Sequence, residues 1–136
     1  MIGDDDARRL RQRLDELGRP WRPGPGDRFR VPDRDLDDQV FVVAEMTIEV
    51  VEAIGGSLIH FNGTTEWALD SVAAAEVVWL PWEHQLRELL GSRFASLEAL
   101  PSPAGGWAVT LDDGRRFAHV SPEDAYLAAV LAALEV

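Results

Sequence analysis

Ile59-His60-Phe61-Asn62-Gly63-Thr64-Thr65-Glu66-Trp67-Ala68-Leu69-Asp70 sets one β-like run against another across an Asn-Gly pair. Asn and Gly tolerate the positive φ that both central positions of a tight hairpin turn require. A two-residue turn at Asn62-Gly63 would place Phe61 opposite Thr64 and Leu58 opposite Trp67. The stretch also holds a histidine, two carboxylates and a tryptophan, so it is a dense candidate for chemistry. Trp79-Leu80-Pro81-Trp82 follows closely, and proline suits the first turn of a helix.

Upstream, Gly55-Gly56-Ser57 turns the chain into Leu58–Phe61, giving a meander of strands near 47–52, 57–61 and 64–69. In the apolar run Val40–Ala44 and the segment after it, helix and strand compete. The β-branched Val40, Val42, Val43, Thr47, Ile48, Val50 and Val51 favour strand. Arg28-Phe29-Arg30-Val31 alternates like a short edge strand closed by Pro32. Before it, residues 20–26 carry three prolines and two glycines and form a connector. Asp4 to Leu17 reads as an amphipathic helix with Leu10, Leu14 and Leu17 in one stripe, Asp4/Arg8 and Asp5/Arg9 at i, i+4, and Gly18 as its stop.

Downstream, Ala73-Ala74-Ala75 favours a helical turn and Val77–Leu80 is extended. The Pro81 helix runs through Leu90, with Leu86, Leu89 and Leu90 inward and Gly91 as stop. Phe94–Leu100 reads as a strand and residues 101–106 as a loop. Trp107–Leu111 and Arg115–Val120 flank Asp112-Asp113-Gly114. A three-residue loop with Gly114 left-handed sets Val109 opposite Phe117 and Trp107 opposite His119. Ser121-Pro122-Glu123-Asp124 then opens a helix with cap, proline and first-turn acids in order; Leu127, Val130, Leu131 and Leu134 make its core face. The expectation is one α+β domain spanning residues 1–136. It comprises a helix in 1–19, the connector 20–26 and a body from 27. In it, N-terminal, middle and C-terminal helices pack on small antiparallel meanders.

Composition narrows the chemistry. The chain has no cysteine, which removes disulfides, thiolate ligands and thiol nucleophiles. All thirteen basic residues are arginines, so there is no Schiff-base or phosphate-loop lysine. The net charge is −11. Residues 1–38 hold ten acids and nine arginines, net −1; the remainder holds fourteen acids and four arginines, net −10. Such a surface repels phosphate backbones, so no direct nucleic-acid contact is expected. No apolar run approaches a membrane span, and the acidic N-terminus lacks the order of a secretory signal, so the sequence points to the cytoplasm.

Several constellations are open to a functional reading. Asp33, Asp35 and Asp37 match half of a calcium loop, but Asp38 stands where the glycine belongs and Ala44 where the glutamate belongs. His60 with Glu66 or Asp70 would make an acid–base pair across the first hairpin. His60, His84 and His119 could converge on a metal, though no H-E-x-x-H exists and structural histidines account for them as well. Ser57 follows two glycines, which reads as a turn before it reads as a nucleophile elbow. Trp21, in the connector, and Trp82, at a helix start, are the tryptophans placed for partner binding; Trp67, Trp79 and Trp107 sit in strand patterns and should pack.

Gly26-Asp27-Arg28-Phe29, Val31-Pro32-Asp33-Arg34-Asp35, Phe61 to Val72, Trp79-Leu80-Pro81 and Gln85 to Gly91 together resemble a family of small uncharacterised actinobacterial proteins. The resemblance spans nearly the whole chain. Members often carry the label pilus-assembly protein, so it implies an association with that process and supplies no catalytic residues.

The leading functional reading is a non-catalytic protein-binding or regulatory module with an acidic surface and no cofactor. Its partner is another protein or a second copy, meeting the Leu10, Leu14, Leu17 stripe. The rivals are a small hydrolase-like or metal-dependent enzyme built on His60, and a DNA mimic or pilus-associated protein.

Overall fold

The computed structural model describes residues 2–32, 39–44, 48–53, 56–61 and 71–135. The chain is α+β, with three α-helices and three three-stranded antiparallel sheets among these residues. It divides into two compact units, residues 14–80 and residues 1–13 with 81–136. None of the described helices is long and apolar enough to cross a membrane.

Helix α1 (Asp4–Glu16) begins with three aspartates, which favour the positive end of the helix dipole. It ends in a Schellman motif: Arg19 N–H donates to Leu14 C=O at 2.8 Å and Gly18 N–H to Asp15 C=O at 3.1 Å. Its buried residues are Ala7, Leu10 and Leu14, with Ile2 ahead of the helix, while Leu17 is 41% exposed. The predicted stripe is therefore shifted by a turn towards the N-terminus, because Leu17 falls in the terminating turn. The ion pairs also differ from expectation: Asp5–Arg8 and Asp6–Arg9 meet at i, i+3, at 3.8 and 3.4 Å.

In residues 14–80, strands β1 (Arg28–Arg30), β2 (Phe41–Val42) and β6 (Val78–Leu80) form one sheet in the order β2-β1-β6. β1 is thus central, where the sequence suggested an edge; Pro32 lies beyond the strand and removes no ladder donor. Its neighbour on the far side comes from much later in the chain, with Phe29 opposite Trp79. The Pro/Gly connector is folded onto this sheet. Gly24-Pro25-Gly26-Asp27 closes a turn, with Asp27 N–H donating to Gly24 C=O at 3.0 Å and Gly26 at φ 89°. That is the type II pattern, proline then a positive-φ glycine. The Trp21 ring stacks on Trp79 at 5.6 Å and 9°. Asp27 Oδ2 accepts from Trp21 Nε1–H and from Gly24 N–H, each at 3.0 Å.

The second sheet of this unit has β3 (Ile48–Ala53), β4 (Gly56–Phe61) and β5 (Ser71–Ala73) in that order. The strands predicted near 47–52 and 57–61 are present. Leu58, however, lies opposite Ala73 rather than Trp67, and β5 begins at Ser71. The third predicted strand, 64–69, lies outside the described residues, as does the aspartate run 33–38.

The other unit is built on the sheet β7 (Phe94–Ala99), β8 (Trp107–Leu111), β9 (Arg116–His119). The β8–β9 register matches expectation, with Val109 opposite Phe117 and Trp107 opposite His119. Gly114 sits at φ 90°, which lets the three-residue loop close. Asp113 accepts from the Arg115 N–H at 3.0 Å, and that bond holds its carboxyl below the usual range. Helix α2 (Glu83–Leu90) buries Leu86 and Leu90, and Gln85 Oε1 accepts the Trp82 N–H at its start. Helix α3 (Pro122–Leu134) packs on β8, β9 and α2. Ser121 caps it by accepting the Asp124 N–H at 3.2 Å. At its other end, Arg93 donates to Ala133 C=O at 2.6 Å and Arg13 to Leu134 C=O at 2.7 Å. Two arginines thereby satisfy carbonyls that a helix C-terminus leaves without partners.

Candidate functional site

A cleft of about 320 Å³ opens beside α3 in the unit that holds the third sheet. Its floor comes from α3 itself. Ala128 and Ala132 lie one turn apart and present only methyl groups, so the helix surface is hollow there. Leu127 and Leu131 flank them. Phe117 and His119, alternate residues of β9, form one wall, as the two-residue period of a strand requires. Asp6 and Arg9, one turn apart on α1, line it as well.

The polar groups sit at the rim. Asp124 stands at the start of α3 and Glu135 just past its end, so carboxylates mark both ends of the floor. Arg9 lies between Asp6 at 3.4 Å and Glu135 at 3.6 Å. Ser121 Oγ donates to Asp124 Oδ2 at 2.6 Å, fixing that carboxylate. Three carboxylates line the cleft with one guanidinium, so the lining is net negative. Trp107 adjoins it: directly opposite His119 on the neighbouring strand, the indole is 36% exposed.

A second cleft of about 320 Å³ is lined by Glu83, His84 and Arg87 of α2 and by Tyr126 of α3. The Arg87 guanidinium lies over the Phe94 ring at 4.4 Å, and Phe94 stacks on Tyr126 at 5.8 Å. Burial raises the Tyr126 phenol above its ordinary value.

The sequence-predicted residues scatter. His60 lies on β4, opposite Glu49 and Ser71, and its proposed partners Glu66 and Asp70 are outside the described residues. His84 and His119 line different clefts, and His60 belongs to the other compact unit. Among the described residues no group of three or more His, Asp or Glu could hold a metal ion. Ser57 Oγ donates to its cross-strand partner Glu52 at 2.9 Å, an exposed surface contact.

Trp21 is 9% exposed and packs in the core, held by Trp79 and Asp27. Trp82 is half-buried at the start of α2. Trp107, expected to pack, is the exposed one among the described tryptophans, because it is the first residue of β8. Leu10 and Leu14 of the proposed self-association stripe are buried within the chain, which leaves only Leu17 of the three to offer a partner. The cleft residues Asp6, Arg9, Asp124, Ala128, Ala132 and Glu135 were missed. The available signal was α3 itself, which is apolar on nearly every face yet ends in acids along one line.

No family model, curated protein or solved structure matches the chain.

Proposed function

We propose that this chain is a non-catalytic protein-binding module, and that the cleft beside α3 receives a basic, partly apolar segment of its partner. One observation carries this reading: an apolar floor of Ala128, Ala132, Leu127 and Leu131 ends in Asp124 on one side and Glu135 on the other. An aliphatic side chain fills the floor, and an arginine or lysine beside it meets the rim. The exposed Trp107 face adds a cation–π surface for the same kind of residue. The rival hydrolytic reading rests on His60 with Glu66 or Asp70, and both carboxylates lie outside the described residues.

The test is a methyl-resolved NMR titration with two short peptides that share a leucine and differ in carrying arginine or glutamate. The arginine peptide should shift the Leu127 and Leu131 methyl signals, and Glu135→Arg should weaken it by about tenfold, the size of one good charged contact. Equal responses to both peptides, or none at these methyls, would refute the proposal.

A further inference from the structure

We infer that the partner enters this cleft as an added β-strand on the outer edge of β9. The inference rests on the docking reading above and specifies its geometry.

The sheet order β7-β8-β9 leaves β9 at an edge, and among the described residues no strand pairs with its outer side. Arg116, Ala118 and His119 are exposed, and Val120 just beyond is 91% exposed. Leu111 N–H donates to Arg115 C=O at 2.8 Å, which fixes the phase of the ladder. In an antiparallel pair, hydrogen-bonded and non-hydrogen-bonded positions alternate. The inward bonds therefore fall on Val109/Phe117 and Trp107/His119, and Arg116 and Ala118 turn their backbone N–H and C=O outward.

An edge of this kind is a template for another strand unless something blocks it. Nothing in Arg116-Phe117-Ala118-His119 does: it has no proline and no inward-pointing charge. Its one charged side chain that could interfere, Arg116, pairs with Glu98 at 2.6 Å on the sheet face away from the cleft. Phe117 and His119 occupy the cleft face. A strand laid along this edge continues that alternation, so every second residue of the partner projects over the α3 floor.

The partner's recognised feature follows. Its cleft-facing residues are two apart, one aliphatic over Ala128 and Ala132 and one basic towards Asp124 or Glu135. A helical partner would instead need spacings of three or four.

The experiment uses the ¹⁵N-labelled full chain and two peptides, acetyl-Thr-Leu-Thr-Arg-Thr-amide and its isomer acetyl-Thr-Thr-Leu-Arg-Thr-amide. In the first, leucine and arginine share a strand face; in the second they do not. The first should slow hydrogen exchange at the Arg116 and Ala118 amides and bind about tenfold more tightly than the isomer. Ala118→Pro deletes one outward N–H and no ladder donor. It should weaken the first peptide by about fivefold to tenfold, with the melting temperature as the check on folding. The exchange measurement on the unaltered chain needs no variant to fold. If the Leu127 and Leu131 methyls shift while Arg116 and Ala118 exchange as before, strand addition is overturned and cleft docking stands. If neither methyls nor amides respond to either peptide, both are overturned.

Discussion

Replacing Asp27 by alanine should be among the most damaging single changes in residues 14–80. Its Oδ2 receives the Trp21 indole N–H and the Gly24 amide, each at 3.0 Å, within a nearly closed pocket where Asp27 and Trp21 are each 9% exposed. Without that acceptor the indole N–H is buried and unpaired, which costs about 1–3 kcal/mol. The Gly24 amide is only half-buried and recovers water, so it adds about 1 kcal/mol. The stacked Trp79 indole cannot replace that acceptor, because its own N–H is a donor and is itself buried without a partner among the described residues. A total of about 2–4 kcal/mol corresponds, at this chain length, to a melting point lower by about 7–14 °C. Asparagine keeps an acceptor oxygen in the same place and loses the charge, so Asp27→Asn should cost only about 1 kcal/mol. Thermal unfolding followed by near-ultraviolet circular dichroism reads both variants, because the stacked tryptophans contribute to that signal. If alanine costs under about 0.5 kcal/mol, the carboxylate is not the acceptor that holds the connector. If asparagine is as harmful as alanine, its charge rather than its hydrogen bonding matters.

Gly106→Ala should destabilise the cleft-bearing unit by about 2–3 kcal/mol, since φ is 93° and a Cβ there would stand 2.7 Å from the His119 carbonyl oxygen. Gly105→Ala, at φ 65° with open space around it, should cost only about 1 kcal/mol; reversal of that order in urea unfolding would disprove the close approach. Tyr126 is the sole tyrosine, so tyrosinate absorbance follows it alone, and its midpoint should lie above the ordinary 10. The folded chain favours the neutral phenol, so that contribution to stability is complete below about pH 10 and falls as pH rises through the folded midpoint. Tyr126→Phe should flatten the alkaline loss, and a midpoint at or below the ordinary value would contradict burial as the cause.

What the sequence revealed, and what it hid, follows from how far the determining contacts reach along the chain. The β8–β9 hairpin and the start of α3 were legible to the residue, because Gly114, Ser121 and Pro122 act on backbone within a few positions of themselves. β1 was misplaced at an edge because Arg28 and Leu80, joined by a 2.8 Å hydrogen bond, are 52 residues apart. Trp21 was judged a surface residue for the same reason: nothing near it in sequence announces Trp79. The cleft was hidden differently. Leu131 has the spacing of a core residue, and no local rule separates a helix face that is covered from one that is left open. Its charge was equally nonlocal. Nine of the thirteen arginines lie in residues 1–38, far along the chain from the acids of residues 39–136. In the fold, Arg13 and Arg93 are committed to the carbonyls of Leu134 and Ala133. Arg9 lines the cleft beside Asp6, Asp124 and Glu135 and pairs with Glu135 at 3.6 Å. The negative balance that the proposed partner would read comes from three separate stretches, Asp6 on α1, Asp124 at the start of α3 and Glu135 past its end, which only the fold brings to one cleft.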